Sequence, residues 1–164
     1  MLVRKAINTD AAQIIEVMKN AEQSGYMLYD PGEREVSATG LAKLIEALNS
    51  QIKSGFFVAV ENDEVIGYLM IQHEKSNRVS HRAGIAVGVH SESRGKGVGT
   101  LLFQHIISWA MDVGLHRLEL TVIATNDRAV HLYKKVGFEV EGVKRDSLWV
   151  NNEFIDEYYM ALLV

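Results

Sequence analysis

Val87-Gly88-Val89-His90-Ser91-Glu92-Ser93-Arg94-Gly95-Lys96-Gly97-Val98-Gly99-Thr100-Leu101-Leu102 runs from an apolar, β-branched segment through a glycine-rich turn into an amphipathic helix. Glycines at alternate positions leave the backbone from Arg94 to Thr100 with almost no side-chain bulk toward a ligand. The helix that follows brings unpaired N–H groups and the positive end of its dipole. Strand, glycine loop and helix N-terminus together form an anion site suited to phosphate. Two common phosphate loops do not account for it. A Walker-type loop needs Ser or Thr after its lysine to hold magnesium, and Lys96 is followed by Gly97. A dinucleotide fingerprint is spaced G-x-G-x-x-G early in a βαβ unit, whereas this stretch reads G-x-G-x-G in mid-chain, after an antiparallel hairpin. Glu119 lies near the offset of the ribose-binding acid but falls inside a strand.

Upstream, Leu2 to Ile7 reads as a first strand, with Asn8 or Thr9 capping a helix that has Asp10 in its first turn. Ala11, Ile14, Ile15, Met18 and Ala21 recur at helical spacing up to Ser24-Gly25. Tyr26 to Val36 has no period, contains Pro31, and reads as a loop. A second helix is expected from about Ser37 to Lys53. Gly55 to Val60 and Val65 to Ile71 flank Asn62-Asp63-Glu64 as an antiparallel hairpin. Ala83 to Val89 is the strand that enters the glycine loop. Downstream, Val98, Leu102, Ile106 and Val113 mark a helix ended by Gly114. Leu118 to Ile123 is an apolar, central strand. Asn126 to Lys135 is a short helix ended by Gly137, and Phe138 to Val143 and Phe154 to Leu163 close the chain as strands joined through Asn151-Asn152. The expected architecture is a single mixed α/β domain over residues 1–164, with about seven strands and about four helices.

The 48% apolar and 23% charged residues match ordinary soluble globular chains, and no run approaches the ~20 apolar residues that span a membrane. Met1 to Ile7 is a short alternating run rather than a signal peptide, so the expected compartment is the cytoplasm. Without cysteine, disulfides, thiolate zinc sites and a cysteine nucleophile are excluded. A net charge of −4 with interspersed signs argues against nucleic-acid binding by bulk electrostatics. His73, His90, His105, His116 and His131 lack ligand spacing, so no metal is expected.

A second motif stands downstream of the glycine loop: Asn126-Asp127-Arg128-Ala129-Val130-His131-Leu132-Tyr133-Lys134-Lys135-Val136-Gly137-Phe138. Together with Arg94-Gly95-Lys96-Gly97-Val98-Gly99 it resembles the signature of the GNAT superfamily of N-acetyltransferases: Arg/Gln-x-x-Gly-x-Gly/Ala, then Asn-x-x-Ala-x-x-Leu-Tyr-x-Lys-x-Gly-Phe. The resemblance extends over the whole chain, and the tail from Glu141 to Met160 is similar to the bacterial branch acting on small amines, amino acids or protein N-termini. It implies a twisted, mostly antiparallel mixed sheet in which two neighbouring strands, here Ala83–Val89 and Leu118–Ile123, splay to admit acetyl-CoA.

The resemblance also implies roles. Backbone N–H groups of Arg94, Gly95, Lys96, Gly97, Val98, Gly99 and Thr100 would hold the pyrophosphate. Val87 and Val89 would pair with pantetheine, one N–H polarising the thioester carbonyl. Asn126 and Ala129 would touch the cofactor, although Asn126 also suits a helix cap. Tyr133 occupies the position of the general acid that protonates the leaving sulfur, and its spacing equally suits a core aromatic. Many members carry a glutamate on the strand before the glycine loop; here Ala83, Ile85, Val87 and Val89 stand there instead. The remaining base candidates are Glu119, His81 and Glu33, with Asp30 and Glu35, or a water chain. Tyr26, Tyr29, Glu33 and Trp149 are expected to line the acceptor site between the first loop and the last hairpin. The resemblance thus implies direct acetyl transfer to a small amine or amino acid. A protein N-terminus and a catalytically silent acyl-CoA sensor are its rivals, and a homodimer is an expectation of the family.

Overall fold

The computed structural model describes residues 1–164. Seven strands, β1 (Leu2–Lys5), β2 (Gly55–Glu61), β3 (Glu64–His73), β4 (Arg82–Val89), β5 (Arg117–Ile123), β6 (Glu139–Val150) and β7 (Glu153–Leu163), form one sheet. Their order is β1-β2-β3-β4-β5-β7-β6. All neighbours are antiparallel except β4 and β5. Parallel neighbours need a long crossover, and α3 (Val98–Asp112) supplies it. The other helices are α1 (Ala11–Glu22), α2 (Ala38–Asn49) and α4 (Asp127–Lys135). The expected seven strands and four helices are therefore present in one mixed sheet.

Both hairpins turn on paired left-handed residues: Asn62 and Asp63 at φ 50° and 65°, and Asn151 and Asn152 at φ 51° and 62°. Asn and Asp tolerate this region because their side chains bond the local backbone. Helix boundaries depart from the sequence reading for identifiable reasons. A 3-10 turn, Asn8–Asp10, precedes α1, and it is the Asp10 carboxylate that accepts a hydrogen bond, from Ile7 N–H at 2.8 Å. Ser37 caps α2 by accepting from Gly40 N–H at 3.0 Å. The helix stops at Asn49 rather than Lys53. There the Asn49 side chain accepts from Phe56 N–H and donates to the Ala6 carbonyl, both at 2.9 Å, tying the helix end to the sheet.

The sheet is covered unequally. On one face Phe57, Leu69, Ile71 and Leu118 pack under Leu102, Phe103 and Ile106 of α3 and Tyr133 of α4. Truncating a fully buried ring such as Phe103 to alanine costs about 3–5 kcal/mol. On the other face Phe56, Val58 and Tyr68 pack under Ile14, Ile45 and Leu48 of α1 and α2. That second core draws on β2 and β3 but takes nothing from β5, β6 or β7. The α1–α2 face of the sheet is left open there. No helix is long and apolar enough to cross a membrane.

Candidate active site

β4 and β5 begin side by side and then part. They pair only through Arg82–Arg117, Ala83–Leu118 and Gly84–Glu119, although β4 continues to Val89 and β5 to Ile123. The result is a V-shaped cleft between two strands of one sheet. In an antiparallel ladder, main-chain groups alternate toward and away from the partner. His90 N–H donates to the Ile66 carbonyl at 3.0 Å and Glu74 N–H to the Arg82 carbonyl at 3.1 Å, so the even-numbered residues of β4 bond β3. The N–H groups of Val87 and Val89 consequently face the cleft. Their side chains pack on the α3 core and act through shape.

At the open end of the V, the glycine loop presents its backbone. Gly95 and Gly97 have φ of 76° and 87°, and a Cβ on either would meet nothing within 4 Å. The first helical bond of α3 is Leu101 N–H to the Gly97 carbonyl at 2.9 Å. Six consecutive N–H groups, from Gly95 to Thr100, have no acceptor in the protein. Arg94 donates through Nε to the Val89 carbonyl at 3.1 Å, which fixes the loop to the strand end and leaves its terminal nitrogens free. Lys96 is exposed and Thr100 half-buried. The Val98 side chain is core, 1% exposed, as its place on the apolar stripe implied, and its amide is the part available. One residue of the stretch differs from the sequence reading. Gly99 lies inside α3, and its added Cβ would stand 2.6 Å from Leu132 of α4; this glycine admits a neighbouring helix.

α4 follows β5 and packs on α3 through Leu132 against Gly99 and Tyr133 against Phe103. Asn126 caps it, accepting from Ala129 N–H at 3.3 Å, which leaves the Asn126 NH₂ free and occupies the Ala129 amide. Tyr133 is 8% exposed, with its ring edge-on to Phe103 at 5.4 Å and near Phe138 at 6.1 Å. Burial, with a smaller effect of Tyr68, pushes its phenol up to about 12. The phenol therefore carries its proton throughout the neutral range. Gly137, at φ 108°, ends α4, as its position implied.

On the open face of the sheet, the closed end of the V borders a cavity of about 730 Å³ lined by Gln72, Arg82, Ala86, Glu119, Thr121 and Tyr159 among others. Glu119 is the base candidate that the structure brings to this cavity. Arg117 Nε donates to its carboxylate at 2.9 Å, and Arg82 Nε lies 3.6 Å away with no hydrogen-bond partner. Arg117 also holds Glu141 through both terminal nitrogens, so Glu141 and Glu119 raise the guanidinium above its ordinary value and Arg117 lowers the Glu141 carboxyl. This cross-strand network fastens the base of the V.

The other expected acceptor residues stand elsewhere. His81 is exposed at the start of β4, its carbonyl accepting from His116 and Arg117 N–H. Glu33 accepts from Asp30 N–H at 2.8 Å and braces its own loop. Tyr26, Tyr29 and Trp149 are exposed and do not line the cavity, and Trp149 packs on Phe154 at 4.7 Å. The sequence reading passed over the buried pair of Glu22 on α1 and Arg34 in the following loop, and over Tyr68 of β3, whose hydroxyl lies 2.9 Å from where Gly88 of β4 would carry a Cβ. The available signal was the spacing Ala11, Ile15, Met18, Glu22, which puts an acid on an apolar helical stripe.

Residues 18–138 match the family described as the acetyltransferase (GNAT) family. The chain belongs to that family. It is an acyltransferase with acetyl-CoA as its acetyl donor, and the splayed strands, the inward amides and the six free loop amides fit that donor. The acetyltransferase is 36% identical over 105 residues to an L-amino acid N-acetyltransferase of Escherichia coli, covering 63% of this chain and 65% of that protein. It is 30% identical over 168 residues to an N-alpha-acetyltransferase of Sulfurisphaera tokodaii, covering 97% and 90%. Its fold is similar to the crystal structure of a GNAT acetyltransferase from Streptococcus pneumoniae, with a TM-score of 0.93 at 27% identity over 99% and 98% of the two chains.

Proposed function

We propose that this acetyltransferase moves the acetyl group of acetyl-CoA to the primary amine of a small molecule, an amine or an amino acid, by direct attack with both substrates bound. The observation that carries this reading is the cleft's opening onto the 730 Å³ cavity. That volume is in the range of small-molecule pockets and is set against the strand edge where the thioester would lie. The relative that acts on L-amino acids supports the same class.

Each group has a stated task. The amides from Gly95 to Thr100 and the positive end of α3 hold the pyrophosphate, with Arg94 and Lys96 adding charge from the loop's rim. Val87 and Val89 bond pantetheine as an added strand would, and a cleft N–H stabilises charge on the carbonyl oxygen, a contribution of about 10²–10³ in rate in comparable sites. The free NH₂ of Asn126 reaches the pantetheine amides, and the small Ala129 leaves them room. Tyr133 gives its proton to the departing sulfur.

Release of free CoA, followed with a pool of small amines and amino acids and separately with a peptide bearing a free N-terminus, tests the reading. Acceptor-dependent release with the small-molecule pool is expected. Release with the peptide alone would move the acceptor to a protein N-terminus, and donor binding without any release would make the domain a silent sensor.

A further inference from the structure

Two arginines stand side by side at the closed end of the V, Arg82 on β4 and Arg117 on β5, paired in register. Arg117 is fully committed: its Nε donates to Glu119 Oε2 at 2.9 Å, and its two terminal nitrogens hold Glu141. Arg82 is not. Its Nε is buried without a hydrogen-bond partner, and its one ion pair is with Glu119 Oε1, at 3.6 Å. A guanidinium kept for that ion pair alone would turn its fork onto the carboxylate, as Arg117 does. A buried N–H left without an acceptor costs more than a loose, half-exposed ion pair contributes. In the wall of a cavity, an unpaired donor of this kind is suited to an acceptor carried by a ligand.

The floor beside Arg82 leaves room for such a ligand. Gly84 lies next to Glu119 of β5 and opposite Gln72 of β3, and a Cβ on it would meet nothing within 4 Å. Ala86, the next residue on that face, is exposed. From Arg82, β4 thus passes two positions with little or no side chain before Val87, whose N–H faces the cleft. That interval is roughly 16 Å of strand at ~3.3 Å per residue. An arginine side chain and a molecule the size of an amino acid together cover it.

The charges of the wall are also balanced, with Arg82 and Arg117 set against Glu74 and Glu119. A polyamine would bring its ammonium groups against the unpaired guanidinium, a repulsion that selects against acceptors carrying positive charge alone. A zwitterion meets both signs. Its carboxylate matches the fork of Arg82, and its ammonium matches Glu119 Oε1, which accepts no hydrogen bond from the protein.

We propose that Arg82 binds the carboxylate of the acceptor and so restricts the acceptor to amino acids. The proposal rests on the acetyl transfer to a small molecule described above and names the class within it. The planar guanidinium takes the two carboxylate oxygens side by side. The amine then projects over Gly84 and Ala86 toward the thioester. Arg82 determines specificity through binding and takes no part in the chemistry.

The experiment compares free amino acids with their own carboxamides in the wild type, Arg82→Gln and Arg82→Lys, by initial rates of CoA release at saturating acetyl-CoA. The carboxamide keeps the amine and the side chain and removes the negative charge. The wild type is expected to favour the free acid in kcat/KM. Arg82→Gln is expected to cut the acid-to-carboxamide ratio by about tenfold or more, the weight of a charge-assisted contact, with the loss in KM rather than kcat. Arg82→Lys, which keeps the charge without the fork, should recover only part of it. The thermal shift given by acetyl-CoA reports folding, and either variant that keeps the shift decides the matter. A wild type indifferent to the carboxylate, or an undiminished ratio in a folded variant, overturns the role of Arg82 and leaves the acetyl transfer standing. A wild type that acetylates no acid, carboxamide or simple amine defeats the acetyl transfer itself, and the proposal with it.

Discussion

The two sides of the cleft are built from different materials. The donor side is backbone: six loop amides, the amides of Val87 and Val89, and the end of α3. The proposed acceptor side is made of side chains brought from distant parts of the chain: Gln72, Arg82, Glu119 and Tyr159. Backbone recognition tolerates change in most side chains and fails where a glycine is lost. Side-chain recognition can be rebuilt one position at a time, which suits a family whose members share a donor and differ in acceptor.

Substitutions on the two sides should therefore separate cleanly. The largest effect is expected for Gly97→Glu, which places a carboxylate in the phosphate site and forces a side chain onto φ 87°. Affinity for acetyl-CoA should fall by more than about 100-fold, as read by titration calorimetry; retained affinity would break the division. Tyr133→Phe should lower kcat by about tenfold or more with donor affinity unchanged. Because burial holds that phenol at about 12, the wild-type kcat should show no alkaline decline up to about pH 10.

Asp10→Asn, remote from both sides, should leave the kinetics alone and cost about 2 kcal/mol of stability, or about 4–8 °C in Tm. Burial opposes the charged Asp10 carboxyl, but Arg4 and the Ile7 N–H outweigh it and hold the group below its ordinary value. Its contribution is then present above the ordinary carboxylate range and lost as pH falls through the lowered value, so the wild type should approach the variant in strong acid. The smallest effect is expected for Trp149→Ala, which should leave the acceptor KM within about twofold, since Trp149 packs on Phe154 outside the cavity. A larger change would bring the final hairpin back into the acceptor site.

The same division governs what could be read from the sequence. Strands, hairpins and the glycine loop follow from patterns a few residues long, and so does the donor side. Helix ends were misjudged where one side chain bonded a distant strand, as Asn49 does with Phe56 and Ala6. Gly99 looked like its neighbours Gly95 and Gly97 because its role depends on Leu132, more than thirty positions away. Nothing in the sequence reveals the bond that Glu33 accepts from Asp30 N–H. Glu22 was passed over because its partner, Arg34, meets it only once the loop after α1 folds back onto the helix.

The splayed strands also set how long the protein lasts. With only three paired positions between β4 and β5, the donor-free protein keeps open strand edges in the middle of its sheet. A donor at about 100 times its dissociation constant adds roughly 2.7 kcal/mol to the folded state. Where degradation follows the open population, the same increment lowers proteolysis about a hundredfold. The lifetime of the chain is thereby tied to the supply of its own co-substrate.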